Sequence, residues 1–138
     1  MSTLERAIAI AAKAHEGQLD KAGAPYILHP LKMMLNLSTN EERITAVLHD
    51  VVEDCGITLE NLRSEGFSEN IIKAIDAVTR RADESYEEFV LRASLNPIGR
   101  QVKLADLQNN CDISRIANPT ANDYDRIAKY CRAIETIK

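Results

Sequence analysis

Residues 39–54 read Thr39-Asn40-Glu41-Glu42-Arg43-Ile44-Thr45-Ala46-Val47-Leu48-His49-Asp50-Val51-Val52-Glu53-Asp54, and this stretch decides the fold class. Thr39 followed three residues later by Glu42 is a capping box, so a helix opens here. Within it Ile44, Val47, Leu48 and Val51 recur at i, i+3, i+4 and i+7, the spacing of an apolar helical stripe. At roughly 100° per residue, His49, Asp50, Glu53 and Asp54 fall within an arc of about 140° on the other side. One face of the helix thus presents an imidazole and three carboxylates. Such a face is either an ordinary solvated acidic exterior or part of a metal site. The second reading requires the helix edge to face a pocket that receives ligands from other helices.

The same helical spacing extends in both directions from this segment. Upstream, Ser2 with Glu5 offers a capping box, and Ile8, Ala11, Ala12 and His15 form one face of a first helix. Gly17, Gly23, Pro25 and Pro30 interrupt the chain, and a second helix is expected to begin at Pro30 and to run through Leu31, Met34 and Leu35 to Ser38. Downstream, Ile57-Thr58 and Phe67-Ser68 each set an apolar residue before a hydroxyl cap, which predicts helices near 59–65 and 69–80. Ser85 with Glu88 opens another, with Tyr86, Phe89, Val90 and Ala93 as its stripe. Asn96-Pro97 starts a helix towards Ile113, and after Asn118-Pro119 a last helix is expected to turn Tyr124, Ile127, Ala128, Cys131 and Ile134 inward. No segment alternates with period two and no internal repeat is visible, so the expectation is one all-α domain, a compact bundle of about seven or eight helices.

Composition agrees with a single globule. The 138 residues are 45% hydrophobic, enough to build a core at this length. Seventeen Lys and Arg against 21 Asp and Glu give a net charge of −4, which removes the basic field that nucleic-acid binding relies on. Cys55, Cys111 and Cys131 are too few and too scattered for a disulfide framework, so a reducing, cytoplasmic setting is expected. The N-terminal stretch carries Glu5, Arg6, Lys13 and Glu16, and no apolar run of about 18 residues exists, so neither a signal peptide nor a membrane span is expected.

Other residues could join the acidic face. His29 lies between Tyr26-Ile27-Leu28 and Pro30, at a helix entrance, and reads as a core histidine or as a ligand. Asp106 stands within Val102-Lys103-Leu104-Ala105-Asp106-Leu107, where burying a lone carboxylate costs several kcal/mol, so it needs a cation or a partner such as Lys103. Lys103 and Asn110 share its face at i−3 and i+4, and Lys103 is either an ordinary salt bridge or part of a pocket. His15 reads as a core or supporting residue. Cys55 has no local histidine placed to activate it. Gly-rich phosphate loops, a dinucleotide fingerprint and a serine elbow are all missing, which disfavours phosphoryl transfer from ATP.

The order His29, His49-Asp50, Asp106 resembles the H…HD…D signature of the HD-domain metal-dependent phosphohydrolases. More closely, the chain resembles the hydrolase domain of the Rel/Spo alarmone enzymes and the stand-alone small alarmone hydrolases. Four segments carry the resemblance: His15-Glu16-Gly17-Gln18, Gly23-Ala24-Pro25-Tyr26-Ile27-Leu28-His29-Pro30, His49-Asp50-Val51-Val52-Glu53-Asp54 and Val102-Lys103-Leu104-Ala105-Asp106. The resemblance implies an HD fold in which His29, His49, Asp50 and Asp106 hold one divalent metal, commonly Mn2+, while Glu53 and Asp54 position or activate the attacking water. It implies that Lys21 and Lys103 face phosphate, that Asn110 meets the nucleoside and that Tyr26 walls the pocket. The implied reaction removes the 3′-pyrophosphate of a guanosine alarmone, releasing pyrophosphate and GDP or GTP. The long alarmone enzymes add a synthetase domain, and residues 1–138 are expected to be a hydrolase domain without one.

The sequence departs from the family on the nucleotide side. Asp20 stands where the family commonly has an arginine that packs on the base, and Leu107 and Asp112 replace two further cations. Adenosine analogues of the alarmones therefore enter as substrates beside the guanosine forms. Two other functions fit the same residues: a broader HD nucleotidase or phosphodiesterase, and a catalytically silent nucleotide sensor. The partner expected in every case is a small nucleotide, with no nucleic acid and no membrane.

Overall fold

The computed structural model describes residues 2–138. Its helices are α1 (Leu4–Ala14), α2 (Leu28–Leu35), α3 (Asn40–Leu48), α4 (Val51–Asp54), α5 (Leu59–Ser64), α6 (Glu69–Ala77), α7 (Tyr86–Ser94), α8 (Pro97–Asn110) and α9 (Ala121–Ile137), with a 3-10 turn at Ile113–Arg115. Among the described residues there is no strand, only an isolated bridge between Leu19 and Pro25. The all-α expectation holds. The helix count holds as well, because α4 is a single turn that continues α3 beyond a break.

Side chains close to each helix start set most of the boundaries. The Thr39 hydroxyl accepts the Glu42 N–H and the Glu42 carboxylate accepts the Thr39 N–H. Thr58 and Ser85 form the same reciprocal pair at α5 and α7, while the Ser68 and Asn96 side chains cap α6 and α8 by accepting from the Ile71 and Gly99 N–H groups. Each such cap is worth about 1 kcal/mol. At the first helix the expectation is off by one residue: Thr3, not Ser2, accepts from Arg6 N–H. The Ser2 N–H is instead drawn to the Gly66 carbonyl after α5. Ala7, Ala11 and His15 form the buried face of α1, while Ala12 faces solvent. The second helix begins at Leu28, before Pro30, and ends at Leu35, short of Ser38. Pro30 is tolerated there because first-turn N–H groups have no intrahelical partner.

Three apolar clusters hold the helices together. The first joins α1, α3, α5 and α6 through Ala11, Ile44, Leu48, Leu62, Ile72 and Ile75. The second joins α2, α3, α7 and α8 through Met33, Ala46, Ala93 and Val102. Burying a Leu or Ile side chain contributes about 1.5–3 kcal/mol, so these two clusters supply most of the packing. From Ile44 to Leu48 every residue of α3 is buried, which makes it the central helix of the bundle. A third, small cluster of Val90, Leu107, Ala133 and Ile137 fastens α9 to α7 and α8. The buried face of α9 differs from the expected one. Ala133 and Ile137 are covered and Tyr130 and Ile134 pack on them, whereas Tyr124 is 59% exposed and Ala128 and Cys131 also face solvent. Gly99 permits the close approach of α8 to its neighbours, since a Cβ there would stand 3.1 Å from the Ala93 carbonyl oxygen and 3.2 Å from Ala77 Cβ. Among the described residues no helix is long and apolar enough to cross a membrane.

Candidate metal centre and active site

The helix that opens at Thr39 does not run unbroken to Asp54. His49 closes α3, and Asp50, with φ −103° and ψ −6°, opens α4. On a continuous helix adjacent side chains diverge by about 100°. The break lets both converge, with His49 Nε2 3.0 Å from Asp50 Oδ2. Beyond it the Asp54 N–H donates to the Asp50 carbonyl at 2.9 Å, closing the turn of α4 and keeping Glu53 and Asp54 next to the pair.

His29 enters from the first turn of α2 and Asp106 from the middle of α8. His29 Nδ1 donates to Asn109 Oδ1 at 2.6 Å, and His49 Nδ1 donates to the Ala46 carbonyl at 2.6 Å. Both imidazoles therefore turn Nε2 inward. His29 Nε2 lies 2.9 Å from Asp106 Oδ1, and His49 Nε2 lies 4.0 Å from the same oxygen. Ligand atoms of His29, His49 and Asp50 all lie within 4.8 Å of one another, so these three could hold a metal ion, with Asp106 alongside. A histidine that binds metal through one nitrogen usually donates its other N–H to an oxygen, and both histidines do so. Two imidazole nitrogens and two carboxylates suit a borderline divalent ion, so the residues fit the group.

The charges are set by mutual contact. Burial opposes a charge on His49, yet Asp50 and Asp106 outweigh it and push its pKa up to about 9. Burial likewise opposes ionisation of Asp106, but Lys103 Nζ at 2.9 Å and the two imidazoles hold its carboxyl well below the usual range. Asp50 is lowered too, His49 overcoming its desolvation, and it accepts a hydrogen bond from the Tyr26 hydroxyl. The two outer carboxylates move the other way. Burial raises Glu53, partly offset by the Arg80 N–H that donates to Oε1 at 2.7 Å, and burial with the Asp50 charge raises Asp54. Raised carboxylates beside a cation site are suited to accept a proton.

These groups form one end of a cavity of about 420 Å³, a size that takes a small ligand. Lys21, Tyr26, His29, Asp50, Glu53, Asp54, Lys103, Asp106 and Asn110 all line it, while His49 stands behind Asp50. Lys103 spends its charge on Asp106, and its ammonium lies 4.6 Å from the centre of the Phe89 ring. Asn110 Nδ2 donates to Asp106 Oδ1 at 3.1 Å. His15 is buried, paired with Gln18 and packed on Tyr26, a supporting position. It also stands 3.5 Å from Cys55 Sγ, a histidine brought there from 40 residues away rather than one local in the sequence. The thiol is nonetheless pushed up, first by burial and then by Asp54 and Asp50, which is the opposite of activation.

Several walls of the cavity were not legible in the sequence. Arg80, Tyr86, Phe89, Arg115, Arg126 and Tyr130 all contribute. Lys129 Nζ and the Arg80 guanidinium lie 4.1 and 5.8 Å from the Tyr86 ring centre, and the buried Tyr86 hydroxyl has no partner among the described residues. The i, i+4 spacing of Arg126 and Tyr130 on the last helix was a signal for two of them. Arg115 pairs with Asp20 at 3.5 Å, so a cation stands beside the acidic residue that had marked the departure from the family.

Comparison with known proteins places this geometry. The chain is 33% identical over 119 residues to the guanosine-3′,5′-bis(diphosphate) 3′-pyrophosphohydrolase of Aquifex aeolicus (strain VF5), covering 78% of this chain and 17% of that protein. It is 33% identical over 132 residues to the probable GTP pyrophosphokinase of Mycobacterium leprae (strain TN), covering 86% of this chain and 17% of that protein. The chain thus spans about 17% of the length of these curated relatives. A solved structure of a metazoan ortholog of SpoT that hydrolyzes ppGpp superposes with a TM-score of 0.79 at 20% identity, covering 97% of this chain and 84% of that one, and so shares the fold. The pattern of the HD domain family matches residues 7–122, taking in His29, His49-Asp50 and Asp106. The chain belongs to the HD domain family.

Proposed function

We propose that residues 1–138 form a single metal-dependent hydrolase domain of the cytoplasm that removes the 3′-pyrophosphate from purine nucleotide alarmones. Pyrophosphate and a nucleoside 5′-diphosphate or 5′-triphosphate are the products. One observation carries the reading: two imidazoles with Nδ1 committed to carbonyl oxygens turn Nε2 towards two carboxylates beside a cavity whose lining also includes Lys21, Arg80, Arg115 and Arg126 and the rings of Tyr86, Phe89 and Tyr130. The relatives named as 3′-pyrophosphohydrolases support the choice of reaction.

His29, His49, Asp50 and Asp106 would hold the metal, and Mn2+ is the ion we assign. When bound, a divalent ion lowers the pKa of a coordinated water and neutralises charge on the phosphoryl oxygens. Glu53 and Asp54 accept the proton of the attacking water, a role for which their raised pKa values suit them. Lys103 keeps Asp106 ionised, and Tyr26 fixes Asp50 by its hydroxyl. Lys21 receives phosphate from the 17–25 loop, Asn110 lies towards the nucleoside, and Arg80 over Tyr86 faces the second phosphate group.

The test is pyrophosphate release from guanosine and adenosine 5′-diphosphate 3′-diphosphate, side by side, with Mn2+ and with chelator. Metal-dependent pyrophosphate release is the expected result. Release of orthophosphate or a nucleoside monophosphate would instead mark a nucleotidase or phosphodiesterase. Binding without turnover would mark a sensor.

A further inference from the structure

Away from the metal end the cavity has two unlike sides. One is cationic and aromatic: Arg80 is held over the Tyr86 ring, next to Tyr130, and Arg126 lines the cavity with them. The other is made by the 19–22 loop and the segment 112–116, with Leu19, Ala22 and Ile116 around a guanidinium whose charge Asp20 neutralises. The remaining charges there, Lys21 and Asp112, are opposite in sign. A nucleotide with phosphates on both the 3′ and 5′ oxygens places its anionic groups at the metal and on the cationic side. Its uncharged base is left facing Arg115.

Arg115 is clamped by its edge. Nη1 donates to the Asn109 carbonyl and to Asn109 Oδ1, each at 3.1 Å, and to Asn110 Oδ1 at 3.3 Å. Nη2 donates to Asp20 Oδ2 at 3.5 Å. Asp20 is itself pinned, because its Oδ1 accepts from the Ala22 and Ala24 N–H groups at 2.9 and 3.0 Å. Arg115 also borders a second cavity of about 160 Å³ that includes Leu28 and Lys32 in its lining, so with Asp20, Ala22 and His29 it stands between two spaces. A planar group held at its edge and open on both sides presents its faces.

We propose that Arg115 is the specificity-determining residue at the nucleobase end of the site, a fixed platform on which a purine stacks. The proposal rests on the nucleotide-hydrolase reading given above and adds the base subsite to it. Stacking uses a face that guanine and adenine share, whereas rejecting one base by several powers of ten takes hydrogen bonds to its edge. The terminal nitrogens of Arg115 that would make such bonds are spent on Asn109, Asn110 and Asp20. The site therefore accepts both purines with little preference.

The test compares the unsubstituted protein with Arg115→Ala and Arg115→Lys on the two alarmones. Loss of one stacking partner is expected to raise KM about tenfold for both bases with kcat little changed. Lysine keeps the charge and lacks the plane, so R115K should behave as R115A does. Pyrophosphate, which has no base, should inhibit all three proteins equally. Titrations of GDP and ADP read the same platform without turnover, and each should weaken about tenfold in both variants. Recovery by lysine, weaker pyrophosphate inhibition in the variants, unaltered nucleotide binding, or a base preference beyond about a hundredfold in the unsubstituted protein would each overturn the role of Arg115. If no alarmone is hydrolysed, the proposed reaction fails, and the GDP and ADP titrations still decide Arg115.

Discussion

Replacing Lys103 by methionine removes the ammonium that faces Asp106 while keeping most of the buried stem. Lys103 is 7% exposed and Asp106 is 9% exposed, with Nζ 2.9 Å from Oδ2. Breaking a buried pair by deleting one partner costs about 3–5 kcal/mol. The low end applies because His29 Nε2 at 2.9 Å and Asn110 Nδ2 at 3.1 Å still contact the carboxylate. At roughly 3 °C per kcal/mol for a domain of this size, the metal-free variant should melt about 10 °C below the unsubstituted protein. A divalent ion held by Asp106 would supply the missing positive charge, and binding to the folded state adds stability of its own. With saturating Mn2+ the deficit should shrink to less than about half. Thermal denaturation followed by circular dichroism, with chelator and with Mn2+, reads both values. An identical deficit in the two conditions would refute Asp106 as a ligand, and no deficit in either would refute the energetic argument for the pair.

Glu53→Gln keeps an oxygen for the Arg80 N–H but cannot accept a proton, so kcat should fall at least about 100-fold with Mn2+ affinity retained. Unchanged turnover would remove Glu53 from the mechanism. In the metal-free protein His49 is raised from 6.5 to about 9, so its contribution to stability is full below 6.5 and is lost as pH rises through 9. Metal must displace that proton, so Mn2+ affinity should strengthen by about tenfold per pH unit up to about pH 9, with one proton released per ion; a flat profile by calorimetry would contradict the pairing. Cys111 Sγ and Cys131 Sγ lie 3.3 Å apart, and burial together with Cys131 pushes the Cys111 thiol up to about 12. A disulfide oxidant should therefore react first at exposed Cys131 and then join the pair with loss of two hydrogens, and mass spectrometry of Cys131→Ser should find Cys111 still reduced.

The parts of the fold that were legible in the sequence are those where both partners of an interaction lie a few residues apart. Thr39 with Glu42, Ser85 with Glu88 and Asn96 with Gly99 are of this kind, because an N-cap bond closes within one turn. Ser2 and Thr3 are adjacent hydroxyls, and a distant carbonyl at Gly66 decides between them. The last helix carries two apolar stripes, and only the position of Val90 and Leu107 selects the one through Ala133 and Ile137. The break at His49-Asp50 was illegible for the same reason, since it serves a convergence with His29 and Asp106 from other helices. The site followed a similar division. Its metal-facing and carboxylate residues sit in short motifs, whereas Asn109, Arg115 and the Tyr86 wall gain their roles from contacts across tens of residues.

The small third cluster gives the two ends of the cavity unequal mechanical support. His29, His49 and Asp50 are seated on helices shared by the two large clusters, but Arg126 and Tyr130 ride on α9, whose apolar support is the small cluster of Val90 and Leu107 with Tyr86 and Leu104 packed against it. Segments with few buried apolar contacts open at lower free energy than the core around them. Amide hydrogens of α9 should accordingly exchange ahead of those of α3, and the nucleotide wall should come and go while the pocket for the ion stays assembled.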